Sequence, residues 1–190
     1  QDHEIRAVLD RLLLNPEFLD SIARFHYPTL TCLFPALMMA SARKKLEEQL
    51  SGVHDVKSMQ AVIASYMDKM IHDTTTGLTN SGLDLLPGDR NYLFISNHRD
   101  IAMDPAFVNY MLYLAGHETL QIAIGDNLLK NPFVTDLMRL NKSFIVRRSL
   151  KGRELLQSLN LLSQYIHFSV ANRENVWIAQ REGRAKDGID

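Results

Sequence analysis

In the stretch FISNHRDIAMDP, residues 94 to 105, one histidine and two acids stand between an apolar run and a proline. Histidine titrates near neutral pH, and a carboxylate within reach can fix its tautomer and support its charged form. His98, with Asp104 or Asp100 as its partner and Asn97 beside it, is therefore a candidate base for a hydroxyl nucleophile. The same residues also suit ordinary turn chemistry. Asp104 ahead of Pro105 matches a helix start with aspartate at the N-cap and proline at the first helical position. The two roles are compatible, because a capping carboxylate can still accept a bond from a histidine.

Other polar groups stand at similar points. Arg147 and Arg148 close the run SFIVR, and Glu182, Gly183, Arg184 and Lys186 follow VWIAQ. The elements around them say why this matters. From residue 90 onward, short apolar runs at 91–96, 120–125, 143–147 and 176–180 read as strands. Between them, 104–116, 131–140 and 151–170 read as amphipathic helices. That alternation predicts an α/β fold with a largely parallel sheet flanked by helices. Ligands of such sheets gather outside the carboxyl ends of the strands. The loops carrying His98, Arg147 and Glu182 are expected to share that rim.

The first part of the chain has another texture. Ile5, Val8, Leu9 and Leu12 recur at helical spacing, as do Met59, Val62, Ile63, Tyr66, Met67 and Met70. A turn-rich tract, TTTGLTNSGLDLLPGD, closes this half. The expected organisation is an N-terminal helical region over 1–85 and an α/β domain over 86–190.

At 190 residues, 46% hydrophobic and 23% charged, the chain can bury a core and is not disordered in bulk. A formal net charge of −1 gives no global attraction to nucleic acid, so any anion site must be local. The single cysteine, Cys32, cannot form an internal disulfide, which suits a reducing compartment. No signal peptide is read at the N-terminus, where Leu12 to Leu14 form too short an apolar cluster. The weakly charged stretch HYPTLTCLFPALMMASA, residues 26 to 42, falls short of the roughly 20 residues that span a bilayer. Two readings of it stand: a buried helix, or a segment dipping into one leaflet with Arg43, Lys44 and Lys45 at the headgroups.

Three chemistries compete with a hydroxyl-activating base. A metal-dependent hydrolase could use His98, Asp100 and Asp104 as ligands, but no second histidine pair or HExxH-like helix completes the set. A serine hydrolase lacks its G-x-S-x-G elbow around Ser96. A non-catalytic lipid-binding or membrane-scaffold protein of the same fold remains, and an acyl-transfer assay separates it from an enzyme.

The three polar blocks together resemble a known family. SNHRDIAMDP is similar to the His/Asp box, N-H-x-x-x-x-D, of the glycerolipid acyltransferases, the lysophosphatidate and glycerol-3-phosphate acyltransferase superfamily. NKSFIVRR resembles its second block, G-x-x-F-I-x-R, and QREGRAKDG its third, F-P-E-G-T-R-S. Order and spacing agree over about residues 90 to 188. There are departures. Five residues separate His98 from Asp104 where the family has four, and Met103 fills the four-residue position. Asn141 replaces a glycine, and Arg184 matches the third-block arginine only with a one-residue deletion. The family's fourth, apolar block falls beyond residue 190, so the domain is expected to be incomplete at its C-terminus.

The resemblance implies transfer of a fatty acyl group from acyl-CoA or an acyl-carrier protein to a hydroxyl of glycerol 3-phosphate or lysophosphatidate. His98 is the implied base and Asp104 its orienting acid. Arg147 and Arg184 are implied to bind the acceptor's phosphate. Glu182 is implied to hold that loop or an acceptor hydroxyl, and Gly183 and Asn97 are implied substrate-binding positions of their blocks. No metal or cofactor is expected beyond the thioester co-substrate. The expected partners are donor, acceptor and a membrane surface, met peripherally on its cytoplasmic face, with no nucleic acid.

Overall fold

Three prolines, Pro16, Pro28 and Pro35, each stand at the first position of a helix, where a missing N–H costs nothing. The helices are α1 (Asp2–Leu14), α2 (Pro16–His26), α3 (Pro28–Leu33) and α4 (Pro35–Leu50). Asn15 caps α2, its Oδ1 accepting from the Phe18 N–H at 2.9 Å. The computed structural model describes residues 2–129, 131–180 and 185, and contacts divide the chain into two units.

The first unit comprises Gln1–Ile63 with Asn131–Leu140. Its core joins Ile5, Leu9 and Leu12 of α1, Phe18 and Leu19 of α2, and Leu46 and Leu50 of α4. The apolar face of α7 (Pro132–Leu140) packs here as well, through Phe133, Leu137 and Leu140, although the sequence places it between two strands. Arg11 and Asp136 add a two-pronged ion pair between α1 and α7, with bonds of 2.8 and 3.2 Å. Leu9, 1% exposed, sits at the centre of this core. Leu9→Ala should lower stability by about 2–5 kcal/mol, since the site loses both transfer energy and packing. A urea-unfolding midpoint unmoved by that change would contradict this core.

The stretch 26–42 does not form a buried helix. Its two prolines split it between α3 and α4, and Leu33, Phe34 and Leu37 are 65%, 57% and 63% exposed. Packing of α2 and α4 on the core uses Ala23, Ala42 and Leu46, which leaves these larger groups outside. Among the described residues no helix is long and apolar enough to cross a membrane.

α5 (Val56–Thr74) carries the chain from the first unit into the second, which comprises Ala64–Lys130 and Asn141–Asp190. Here β1 (Leu93–Ser96), β2 (Leu120–Gly125), β3 (Ser143–Val146) and β4 (Asn175–Ala179) form one sheet, with α6 (Met103–Leu114) and α8 (Gly152–Ala171) as crossovers. The order is β1-β4-β2-β3 and every pairing is parallel, for example Ile95↔Ile178 and Ile124↔Ile145. The two central strands bury Leu120, Ile122, Val176 and Trp177. The expected parallel α/β fold with helices ahead of it is what the chain adopts.

The amino ends of the strands are stitched together by polar side chains. Asn175, buried, accepts from the Tyr92 N–H at 2.8 Å and donates to the Glu118 carbonyl at 2.7 Å. Lys142 is only 9% exposed and ion-pairs Glu174 at 2.7 Å. Only the lysine end of this pair is buried, so removing Glu174 would strand the Lys142 charge at the start of the sheet. The opposite edge, at the carboxyl ends, is left for chemistry.

Candidate active site

Parallel strands bring their carboxyl ends to one side, so the residues after β1, β2 and β3 share one edge of the sheet. His98 follows β1 by two residues and is half-buried. Its ring meets Trp177 of β4 edge-on, with centroids 6.3 Å apart and planes at 88°. Trp177, 3% exposed, is itself fixed by its indole N–H, which donates to the Ser96 hydroxyl at 3.0 Å. A rigid aromatic wall therefore sets the face that the imidazole can present.

The two acids divide the work differently from the sequence expectation. α6 begins at Met103, so Asp104 and Pro105 occupy its second and third positions rather than the cap and the first. The cap position falls to Ala102, and Asp100 bonds the turn that leads into the helix, its Oδ1 accepting from the N–H groups of Ala102 and Met103 at 2.9 and 2.8 Å. A short carboxylate reaches the amides two and three residues on, which is why aspartate suits this turn. Asp104 turns back toward the loop, where its Oδ2 accepts from the N–H groups of Arg99 and Asp100 at 2.5 and 3.1 Å. Among the described residues no hydrogen bond joins Asp104 to the His98 ring. Asp104 thus holds the loop that carries His98, not the imidazole itself. Asn97 lies exposed next to it.

His98 lines a cleft of about 190 Å³ with Ile101, Gly125, Asn127, Arg148 and Trp177 among its walls. Arg147 is elsewhere. It lines a broader groove of about 730 Å³ with Ile145 and, from α8, Glu154 and Tyr165. Adjacent arginines at the end of β3 have thus been sent to two different cavities.

Asp126, directly after β2, organises the β3 end. Its carboxylate accepts from the Ser149 hydroxyl at 2.6 Å and from the N–H groups of Arg148 and Ser149 at 3.2 and 3.3 Å. These donors, the Ser149 hydroxyl first, hold its pKa below the ordinary carboxylate value against some desolvation. A lowered pKa means that its stabilising contribution is complete above the unfolded value, near 4. It is lost as pH falls through the folded value, so the clasp is intact at neutral pH.

Glu182, Gly183, Arg184 and Lys186 lie outside the described residues. Ala185, which is described, donates its N–H to the His98 carbonyl at 2.8 Å. Among the described residues, no group of three or more His, Cys, Asp or Glu side chains is placed to hold a metal ion. The sequence reading missed Trp177, Asp126, Gly125 and Asn127. The usable signal was GDN at the end of a strand, a turn tripeptide at the edge where ligands gather.

Fold and site define a parallel α/β domain whose ligand cleft opens at the carboxyl ends of the strands, with a histidine and an arginine in its walls. The Acyltransferase family matches residues 77–186, more than half of the sequence, and the chain belongs to that family. It is 32% identical over 96 residues to a glycerol-3-phosphate acyltransferase of Xanthomonas axonopodis pv. citri (strain 306). It is 31% identical over 96 residues to the protein of that name from Xanthomonas campestris pv. campestris. Each match covers 50% of this chain and 10% of the relative, so the chain spans a small part of the curated proteins it matches.

Proposed function

We propose that this domain transfers a fatty acyl group from a thioester, acyl-CoA or acyl-carrier protein, to a hydroxyl of glycerol 3-phosphate or lysophosphatidate. The observation that carries the reading is the placing of His98 and Arg148 in one small cleft at the rim. The family and the names of the two relatives support the same chemistry.

In this mechanism the His98 imidazole takes the proton of the acceptor hydroxyl. The oxygen attacks the thioester carbonyl, a C–O bond forms and the C–S bond breaks. The departing thiolate then recovers the proton from the imidazolium. No acyl-enzyme forms. Asp104 keeps the His98 loop in place through the backbone of Arg99 and Asp100, and Trp177 limits the ring's orientation. Guanidinium groups at the rim hold the acceptor's phosphate, because the planar fork matches its oxygens. Glu182, Gly183 and Arg184 follow β4 in the sequence and are the further acceptor-binding candidates of this reading.

A panel assay tests this reading. It offers both donor types to glycerol 3-phosphate, lysophosphatidate and glycerol, and scores ester formed and thiol released. Esterification of the phosphate-bearing acceptors in preference to glycerol is the expected result. Thioester hydrolysis without any acceptor dependence would replace transfer with hydrolysis.

We also place the protein peripherally on the cytoplasmic face of a membrane, with the first unit as the contact. Phe25, Leu30, Leu33, Phe34 and Leu37 are all exposed from the end of α2 to the start of α4, and Arg43, Lys44 and Lys45 follow on α4. Apolar anchors beside cations fit an anionic lipid surface. Wild type should co-sediment with anionic vesicles, and Leu33→Asp with Phe34→Asp should release it. Failure of wild type to bind such vesicles at low salt would remove this placement.

A further inference from the structure

We propose that Ser96 is a positioning residue for the base: its hydroxyl aims the indole of Trp177, and the indole aims the His98 ring. This inference rests on the acyl-transfer reading above and names a device that orients its imidazole. Asp104 holds the backbone of the His98 loop through Arg99 and Asp100. A fixed loop still lets the ring turn about its side-chain bonds, so its direction depends on what it lies against.

The register of the sheet explains how a serine in one strand reaches a ring beyond its end. Trp177 of β4 stands level with Phe94 of β1, and Ser96 stands level with Ala179. Side chains two residues apart share a face, so Phe94, Ser96 and Trp177 project from the same side of the sheet. Ser96 lies two residues, about 7 Å, nearer the carboxyl ends than Trp177. The 3.0 Å bond from the indole N–H to the Ser96 hydroxyl therefore draws the indole along the strands toward the rim. There it meets the His98 ring edge-on, with planes at 88°. Edge-to-face pairs have a preferred geometry, so a fixed indole favours one orientation of the imidazole. Trp177 is 3% exposed, and a buried donor that loses its acceptor is costly. Without the hydroxyl the indole must turn to find another partner, and the ring against it turns as well. Ser96 thus has a task as an acceptor, in a stretch that lacks the elbow of a serine nucleophile.

The test compares Ser96→Val with Ser96→Thr, two β-branched residues that suit a strand, of which only threonine keeps the hydroxyl. Ser96→Val should lower kcat about 10-fold, between the worth of one hydrogen bond and the 10²-fold cost of a 1 Å misplacement. The KM values for donor and for glycerol 3-phosphate should stay within about twofold, because the change touches the base and not the binding groups. Ser96→Thr should recover most of kcat. Trp177→Phe keeps an aromatic wall without the N–H, so Ser96→Val should add little to its loss. Fully additive losses, or a Ser96→Val protein with the kcat of wild type, would overturn the proposal. A second readout needs no activity. The chain has one tryptophan, so its indole N–H gives a single resonance in a proton–nitrogen NMR spectrum. Cross-relaxation between that indole and the His98 ring, assigned by its loss in His98→Ala, should be present in wild type and Ser96→Thr. In Ser96→Val it should weaken severalfold, and the indole N–H resonance should move. If no donor acylates any acceptor, the acyl-transfer reading falls, and the spectra still decide whether Ser96 aims the ring. Cross-relaxation unchanged in Ser96→Val would sink the proposal and leave the acyl-transfer reading standing.

Discussion

Replacing His98 with alanine should cut acyl transfer by about 10²- to 10⁴-fold, the usual cost of a lost general base. His98 is the imidazole in the cleft, and it stands against the indole of Trp177 at the end of β1. Its backbone carbonyl, which accepts from Ala185, is untouched by the substitution. The sheet should therefore survive, and far-UV circular dichroism should match wild type. Both kcat and kcat/KM should fall together, because the proton transfer belongs to the transition state. Activity within about threefold of wild type, with the fold intact, would remove His98 from the chemistry.

Asp104 should show a different signature. Both of its backbone bonds fall on one oxygen, Oδ2. Asp104→Ala leaves two N–H groups of the His98 loop without that acceptor, and hydrogen bonds to a charged group are worth about 1.5–3 kcal/mol each. Loosening the loop that aims a base should lower kcat by on the order of 10²-fold, since small misplacements are costly. Asp104→Asn keeps an oxygen able to accept both bonds, so it should recover most of the activity. An asparagine variant as inactive as alanine would show that the carboxylate's charge, and not its bonds to the loop backbone, is what the site needs.

Much of the architecture was legible because its signals are local. Apolar runs of strand length alternated with helical periodicity, and all four runs became parallel strands within a residue or two of the expected ends. The helix over 131–140 was legible as a helix, but not its destination. Its strongly one-sided apolar face packs in the helical unit, a tertiary choice that periodicity does not encode. The apolar stretch 26–42 misled for a related reason. Hydrophobicity predicts burial on average, yet α2 and α4 bury Ala23, Ala42 and Leu46 while Leu33, Phe34 and Leu37 stay exposed. At the site, His98 stood out by residue type and place. The division of labour between Asp100 and Asp104 did not, because it depends on where α6 begins. Nor did the split of Arg147 from Arg148 between two cavities, which residue type alone does not encode.

The central claim is direct transfer: the acceptor hydroxyl, deprotonated by His98, attacks the thioester without a covalent acyl-enzyme. Single-turnover mixing with labelled acyl thioester, followed by intact-protein mass spectrometry, addresses it most directly. With donor alone, the account predicts unmodified protein and no released thiol. Adding glycerol 3-phosphate should release thiol and form ester in equal amounts. Thiol released without acceptor, leaving protein heavier by one acyl group, would contradict it.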